Sequence, residues 1–222
     1  PVDKVGYIVI TSDRGLAGGL NINLFKALSK SIQQYQDQSV QAEFAVIGAK
    51  GVSFFKNFGG KVTSAVTDYG DKPTFEQLNA PVQAMLEDYS NGKLDRIYVV
   101  YNQFVNAMTQ KPIVNQLVPL PEGSFGDEEN GIQTELSWDY IYEPDIKTLI
   151  DELLGRYIES IVYQAVMENI ASEQSSRMVA MKAATDNAGD LINDLQLVYN
   201  KLRQAAITRE ISEIVGGAAA VS

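Results

Sequence analysis

The residue types that carry most nucleophilic, acid–base and metal chemistry are missing from this chain. Its 222 residues contain no cysteine and no histidine. That removes disulfides, thiolate nucleophiles, histidine-dependent triads and nearly all zinc sites. One stretch has the makings of a ligand cradle: the glycine-rich turn Thr11-Ser12-Asp13-Arg14-Gly15-Leu16-Ala17-Gly18-Gly19. It follows an apolar run and precedes a helical pattern, the context in which a helix N-terminus binds phosphate. Yet Gly15-Leu16-Ala17-Gly18-Gly19-Leu20 is not G-x-G-x-x-G, and no Gly-Lys-Ser/Thr follows. Glycines that only permit a tight turn explain it as well. Gly48-Ala49-Lys50-Gly51 reads as the cap of a short helix rather than a phosphate loop. The acid pair Glu128-Glu129 lies in a glycine- and acid-rich stretch, Glu122 to Gly131, where solvation is the expected fate of both carboxylates. The chain offers no catalytic, cofactor-binding or metal-binding constellation.

The formal net charge of −10 and pI near 4.5 argue against nucleic acid, whose phosphates require Lys and Arg. No run of about 18 apolar residues exists, so direct membrane insertion is not expected. Pro1 stands almost directly on a strand with no initiator Met, as in a fragment or processed form. Short apolar runs at Val5–Ile10, Glu43–Gly48, Val62–Thr67 and Arg96–Tyr101 read as strands. They alternate with helical patterns at Asn21–Tyr35 (face Ile22, Phe25, Leu28, Ile32), at Val52–Phe58 ended by Gly59-Gly60, and at Phe75–Ser90 with Thr74 as N-cap. Pro81 inside the last of these allows a kink or a later start. This rhythm predicts parallel βαβ units, hence a Rossmann-like layered α/β domain with a mostly parallel sheet over residues 1–143. Met108–Leu120 and Leu136–Tyr142 read as an added antiparallel pair.

After Pro144 no proline occurs, and strong helix formers run to Val215. A continuous helix over that span would be roughly 100 Å long. Its first part presents a broad apolar face (Ile146, Leu149, Ile150, Leu153, Leu154, Tyr157, Ile158, Ile161, Val162) suited to packing on the sheet domain. From Met178 the stripe narrows to heptad spacing: Met178, Thr185, Ile192, Tyr199 and Ala206, with Met181, Ala188, Leu195, Leu202 and Arg209. Such spacing predicts half of a coiled coil, left-handed in supercoil, whose partner helix is missing or supplied in trans. Met178 and Met181 then serve as seam packing. The expected organisation is a globular part, 1–143, and a helix, 144–222, whose segment 178–222 is a shaft. A nucleotide-binding α/β enzyme with a helical oligomerisation tail is the alternative.

Two stretches carry a resemblance. Ile10-Thr11-Ser12-Asp13-Arg14-Gly15-Leu16-Ala17-Gly18-Gly19-Leu20-Asn21 resembles the signature of the gamma subunit family of F-type ATP synthases, bacterial type. The tail, from Ala180-Met181-Lys182-Ala183-Ala184-Thr185 through Arg203-Gln204-Ala205-Ala206-Ile207-Thr208, is similar to that family too, as is Ser137–Pro144. The resemblance implies a non-catalytic central rotor coupling proton-driven rotation to ATP chemistry on beta subunits. It implies alpha, beta and epsilon subunits and the c-ring as partners, on the cytoplasmic face of the bacterial inner membrane. It also implies an N-terminal helix, absent before Pro1, as the antiparallel partner of the shaft. By the same resemblance Arg203, Gln204, Thr208, Arg14 and Ala17 would contact beta, and Tyr140, Tyr142 and Glu143 would face the c-ring or epsilon. Ala17 stands where bacterial relatives often carry Cys.

Overall fold

The computed structural model describes residues 2–36, 40–121 and 146–221. Five strands form one sheet: β1 (Lys4–Ile10), β2 (Gln41–Ile47), β3 (Lys61–Val66), β4 (Arg96–Asn106) and β5 (Thr109–Val118). Their spatial order is β3-β2-β1-β4-β5. The first four are parallel and β5 runs antiparallel to β4. The helices are α1 (Leu20–Gln36), α2 (Ala49–Phe58), α3 (Phe75–Ser90) and α4 (Ile146–Val221). The chain forms two compact units, Pro1–Met178 and Val179–Ser222.

β1 lies at the centre of the sheet, and side-chain alternation splits it between two cores. Val5, Tyr7 and Val9 pack with Leu24, Leu28 and Ile32 of α1 and Phe55 of α2. Ile8 and Ile10 pack with Leu78, Val82 and Met85 of α3 and with Ile158, Val162 and Val166 of α4. Helices therefore cover both faces, which explains why the strand runs are apolar without alternation. Gly48 has φ 107°, and a Cβ there would stand 2.2 Å from the Thr11 carbonyl oxygen, so only glycine lets the ends of β1 and β2 approach.

The expected face of α1 changes in detail, while Thr74 holds as the N-cap of α3. α1 buries Leu20, Leu24, Leu28 and Ile32, whereas Ile22 is exposed and Phe25 only half-buried. The true stripe keeps the i, i+4 spacing, and Ile22 points about 160° away from Leu24's side of the sheet contact. β5 pairs with β4, while Leu136–Tyr142, its expected antiparallel partner, lies outside the described residues, as does Glu122–Gly131. The β4–β5 hairpin is local: Asn106 Oδ1 accepts the Met108 and Thr109 amides at 3.0 and 2.8 Å, closing a tight turn. Pro81 leaves α3 unbroken, since its ring is buried with Leu78, Val82 and Met85. Thr74 starts that helix, its amide donating to Gln77 Oε1 at 3.1 Å.

On α4 the buried stripe lies further along than the sequence suggested. Ile158, Val162, Ala165, Val166 and Ile170 are buried, while Ile150, Leu153 and Tyr157 are exposed. The helix passes Gly155 and Gly189 without a break. In the second unit Ile192, Leu195, Tyr199 and Leu202 are all exposed, and so are Ile207, Ile211 and Ile214. At about 100° per residue, Ile207 falls within about 20° of Met178 while Ala206 trails by about 80°. On an ideal helix the apolar stripe thus steps from the heptad set to Ile207.

Candidate functional site

In an open α/β sheet a ligand sits beyond the carboxyl ends of the strands, where the strand order reverses. Here that point lies between β1 and β4. It is filled by α4. Asn169, fully buried, accepts the Asn102 backbone amide at 3.3 Å and the Asn102 side-chain amide at 3.0 Å. One turn on, the Ser172 hydroxyl donates to the Asn102 carbonyl at 2.9 Å. The Ser176 hydroxyl donates to the Ala17 carbonyl at 2.6 Å, and Arg177 Nη2 donates to the Gly15 carbonyl at 3.3 Å. Residues 169, 172, 173, 176 and 177 recur at the three-to-four spacing of one helix face. Together they clasp the glycine turn and Asn102 of β4.

The glycine turn's own polar groups are used in building itself. The Thr11 hydroxyl donates to the Ile47 carbonyl at 3.1 Å and accepts the Gly51 amide at 2.9 Å. Asn21 Oδ1 accepts the Ser12 amide at 3.3 Å, and Asn21 Nδ2 donates to the Ser12 hydroxyl at 2.7 Å. The Asp13 carboxylate accepts the Ala49 amide at 2.9 Å and the Tyr69 amide at 3.1 Å. A carboxylate therefore occupies the N-terminus of α2, where a phosphate would otherwise be held. The Tyr69 hydroxyl donates to the Thr11 carbonyl at 2.7 Å, and burial pushes its ionisation well above the ordinary phenol range. Tyr7, under α1, is likewise pushed up to about 12, chiefly by burial.

Beside the clasp is a polar cleft of about 190 Å³ lined by Asp13, Arg14, Asp68, Tyr69, Asp71 and Glu173. Glu173 pairs with Arg177 one turn along, with side chains 10% and 21% exposed. Burial raises the Glu173 carboxyl pKa, Arg177 pulls it down, and Asp13 and Asp71 push it up again. Arg14 is exposed at the cleft's rim. Ala17, by contrast, is 4% exposed, and its neighbour Leu16 is exposed. Arg203, Gln204 and Thr208 are exposed on the second unit, where the Thr208 carbonyl accepts the Ser212 hydroxyl at 2.8 Å. Tyr140, Tyr142 and Glu143 lie outside the described residues. The clasp residues were not singled out from the sequence. Their signal was present as polar residues recurring on the apolar face of α4.

A doubly covered α/β domain whose ligand crevice holds its own helix, with that helix exposing an apolar seam, defines the class of helical-stalk subunits that work within a larger assembly. The family model described as ATP synthase matches residues 1–221. An ATP synthase gamma chain from Psychrobacter arcticus is 94% identical over the whole chain, which covers 76% of that protein. One from Acinetobacter baumannii is 65% identical over 221 residues, 75% of its length. Two solved assemblies share the fold. One is Euglena gracilis mitochondrial ATP synthase, OSCP/F1/c-ring (TM-score 0.71, 23% identity, 99% of this chain and 73% of that one). The other is the Tetrahymena thermophila central stalk/c-ring (TM-score 0.61, 21% identity, 83% and 78%). The chain belongs to the ATP synthase gamma chain family.

Proposed function

We propose that this chain is the non-catalytic central rotor of a proton-driven ATP synthase. The observation that carries the reading is the exposed apolar stripe from Ile192 to Leu202 and on to Ile214, which water alone does not satisfy. Its occupant is a second helix, pairing antiparallel to make a stiff shaft from 178–222. Residues 1–143 form the foot, and the polar clasp ties α4 to that foot so that torque reaches the helix without slip. No helix among the described residues is long and apolar enough to cross a membrane. The chain then acts from the cytoplasmic face of the membrane through partners, with the c-ring and epsilon meeting the foot and alpha and beta subunits enclosing the shaft.

Arg203, Gln204 and Thr208 touch beta on the shaft, and the loop of Arg14 and Ala17 meets it at the foot. Tyr140, Tyr142 and Glu143 belong to the c-ring or epsilon side. An asymmetric shaft contacts each beta subunit differently and biases its open–closed equilibrium, so ATP is made or split on beta and not here. The crevice filled by α4, and a glycine turn lacking both G-x-G-x-x-G and Gly-Lys-Ser/Thr, weigh against the nucleotide-enzyme alternative. The test is ATP-driven proton pumping in membrane vesicles carrying the complete complex, with Leu195→Ser/Leu202→Ser in this chain. The rotor reading expects pumping to fall severalfold while ATP hydrolysis persists. Unchanged pumping at normal assembly would overturn it.

A further inference from the structure

One face of the first unit carries charge opposite to that of the chain. α1 and α2 contribute Lys26, Lys30, Lys50 and Lys56 and contain no Asp or Glu, within a chain of formal net charge −10. Between these helices runs an open groove of about 540 Å³ lined by Ile22, Phe25, Lys26, Lys30, Gln33 and Phe54. Its floor is aromatic. Phe25 stacks on Phe54 with ring centroids 4.0 Å apart, and Phe54 stacks on Phe58 at 5.1 Å. Ile22 is 60% exposed and Phe58 51% exposed, although α1 already buries a complete stripe against the sheet. Among the described residues the ion pairs are formed by Lys61, Lys93, Arg177 and Arg209, and by none of these four lysines.

We propose that this groove docks an acidic amphipathic helix of a partner protein. Its apolar side lies on Ile22, Phe25 and Phe54, and its carboxylates reach Lys26 and Lys30. Those lysines are one helical turn apart on α1, so Glu or Asp side chains at i and i+4 of the incoming helix match their spacing. A groove between two helices accepts a third through anchors at that same period. Sign discrimination follows from the charge balance: a basic helix meets the lysines directly, while acidic flanks are drawn to two helices that contain lysines and no Asp or Glu. An anionic membrane is a poorer occupant. Membranes are held by denser lysine clusters than the two lining this groove, and the chain as a whole is repelled. The proposal does not depend on the rotor reading.

The test uses the full chain and two synthetic fluorescein-labelled helices, with Leu at the i, i+3, i+4, i+7 positions and either Glu or Lys on the flanks. Fluorescence anisotropy should show saturable binding of the Glu helix, at least tenfold weaker binding of the Lys helix, and weakening with added salt. Lys26→Glu/Lys30→Glu and, separately, Ile22→Ser should each lower affinity for the Glu helix about tenfold. Leu195→Ser, which alters the apolar stripe of the second unit, should leave it unchanged. The idea is overturned if both helices bind alike, if the groove variants bind as well as the parent, or if binding follows Leu195→Ser instead. Phosphatidylglycerol vesicles that bind the chain where the Glu helix does not would also overturn it, in favour of a membrane surface.

Discussion

Removing the Arg177 guanidinium should do more harm at neutral pH than in mild acid. Arg177 pairs with Glu173 and holds the Gly15 carbonyl, and both side chains are mostly buried, at 21% and 10% exposed. Arg177→Ala leaves the Glu173 carboxylate facing Asp13 and Asp71 without its ion-pair partner. Breaking a fully buried pair costs about 3–5 kcal/mol, and the partial exposure of Arg177 brings the expected loss to about 2–3 kcal/mol. At roughly 2–4 °C per kcal/mol for a chain of this size, Tm should fall by roughly 5–10 °C. Glu173 already has a raised pKa from burial, and losing Arg177 raises it further. The folded carboxyl then holds its proton above the unfolded value of about 4.3. The folded state therefore binds more protons, and stability falls as pH climbs through that window. Scanning calorimetry at pH 4.5 and 7.5 should show a larger deficit at the higher pH. Glu173→Gln in the Arg177→Ala background should recover about half of it. A deficit independent of pH, or strict additivity of the two substitutions, would refute the pairing argument.

Other substitutions probe the glycine turn and the surface of the second unit. Asp13→Ala uncaps α2 and orphans the Tyr69 amide, so chemical denaturation should show a loss of about 2–4 kcal/mol. Gly48→Ala should cost about 3 kcal/mol or prevent soluble expression, because its Cβ collides with the Thr11 carbonyl at a left-handed φ. Tyr7 stays neutral in the fold up to about 12, while an unfolded tyrosine ionises near 10, so stability should decline between those pH values. Tyr7→Phe should flatten that decline in a urea-melt series. Arg203→Ala/Gln204→Ala in the assembled complex should reduce ATP-driven proton pumping about fivefold, as expected for contacts of up to about 1 kcal/mol each.

Much of the α/β domain is legible because buried parallel strands announce themselves as unbroken runs, as Tyr7-Ile8-Val9-Ile10 does. Periodicity is weaker on α1, where Ile22 and Phe25 compete with Leu24 for the inward face, and only the sheet decides between them. The β4–β5 hairpin is closed by the Asn106 turn, a side-chain event that strand patterning does not encode. Pro81 shows tertiary packing overriding a local breaker. The clasp at Asn169, Ser172 and Arg177 is long-range, linking positions about 70 to 160 residues apart, so no local motif carries it. The shaft seam is the opposite case. Its spacing is visible in the chain, and its exposed side chains state that something must cover them.

The most direct test of the central claim is single-molecule rotation. Lacking native cysteine, the chain accepts one label site, for example Asn91→Cys in the exposed turn after α3. The labelled complex, surface-held through its alpha and beta subunits, is supplied with ATP and a bead is tracked on that cysteine. A rotor predicts stepwise, one-directional turning that stops when ATP is withdrawn. A bead that stays still or jitters without direction, in complexes that retain this chain and hydrolyse ATP, would contradict the account.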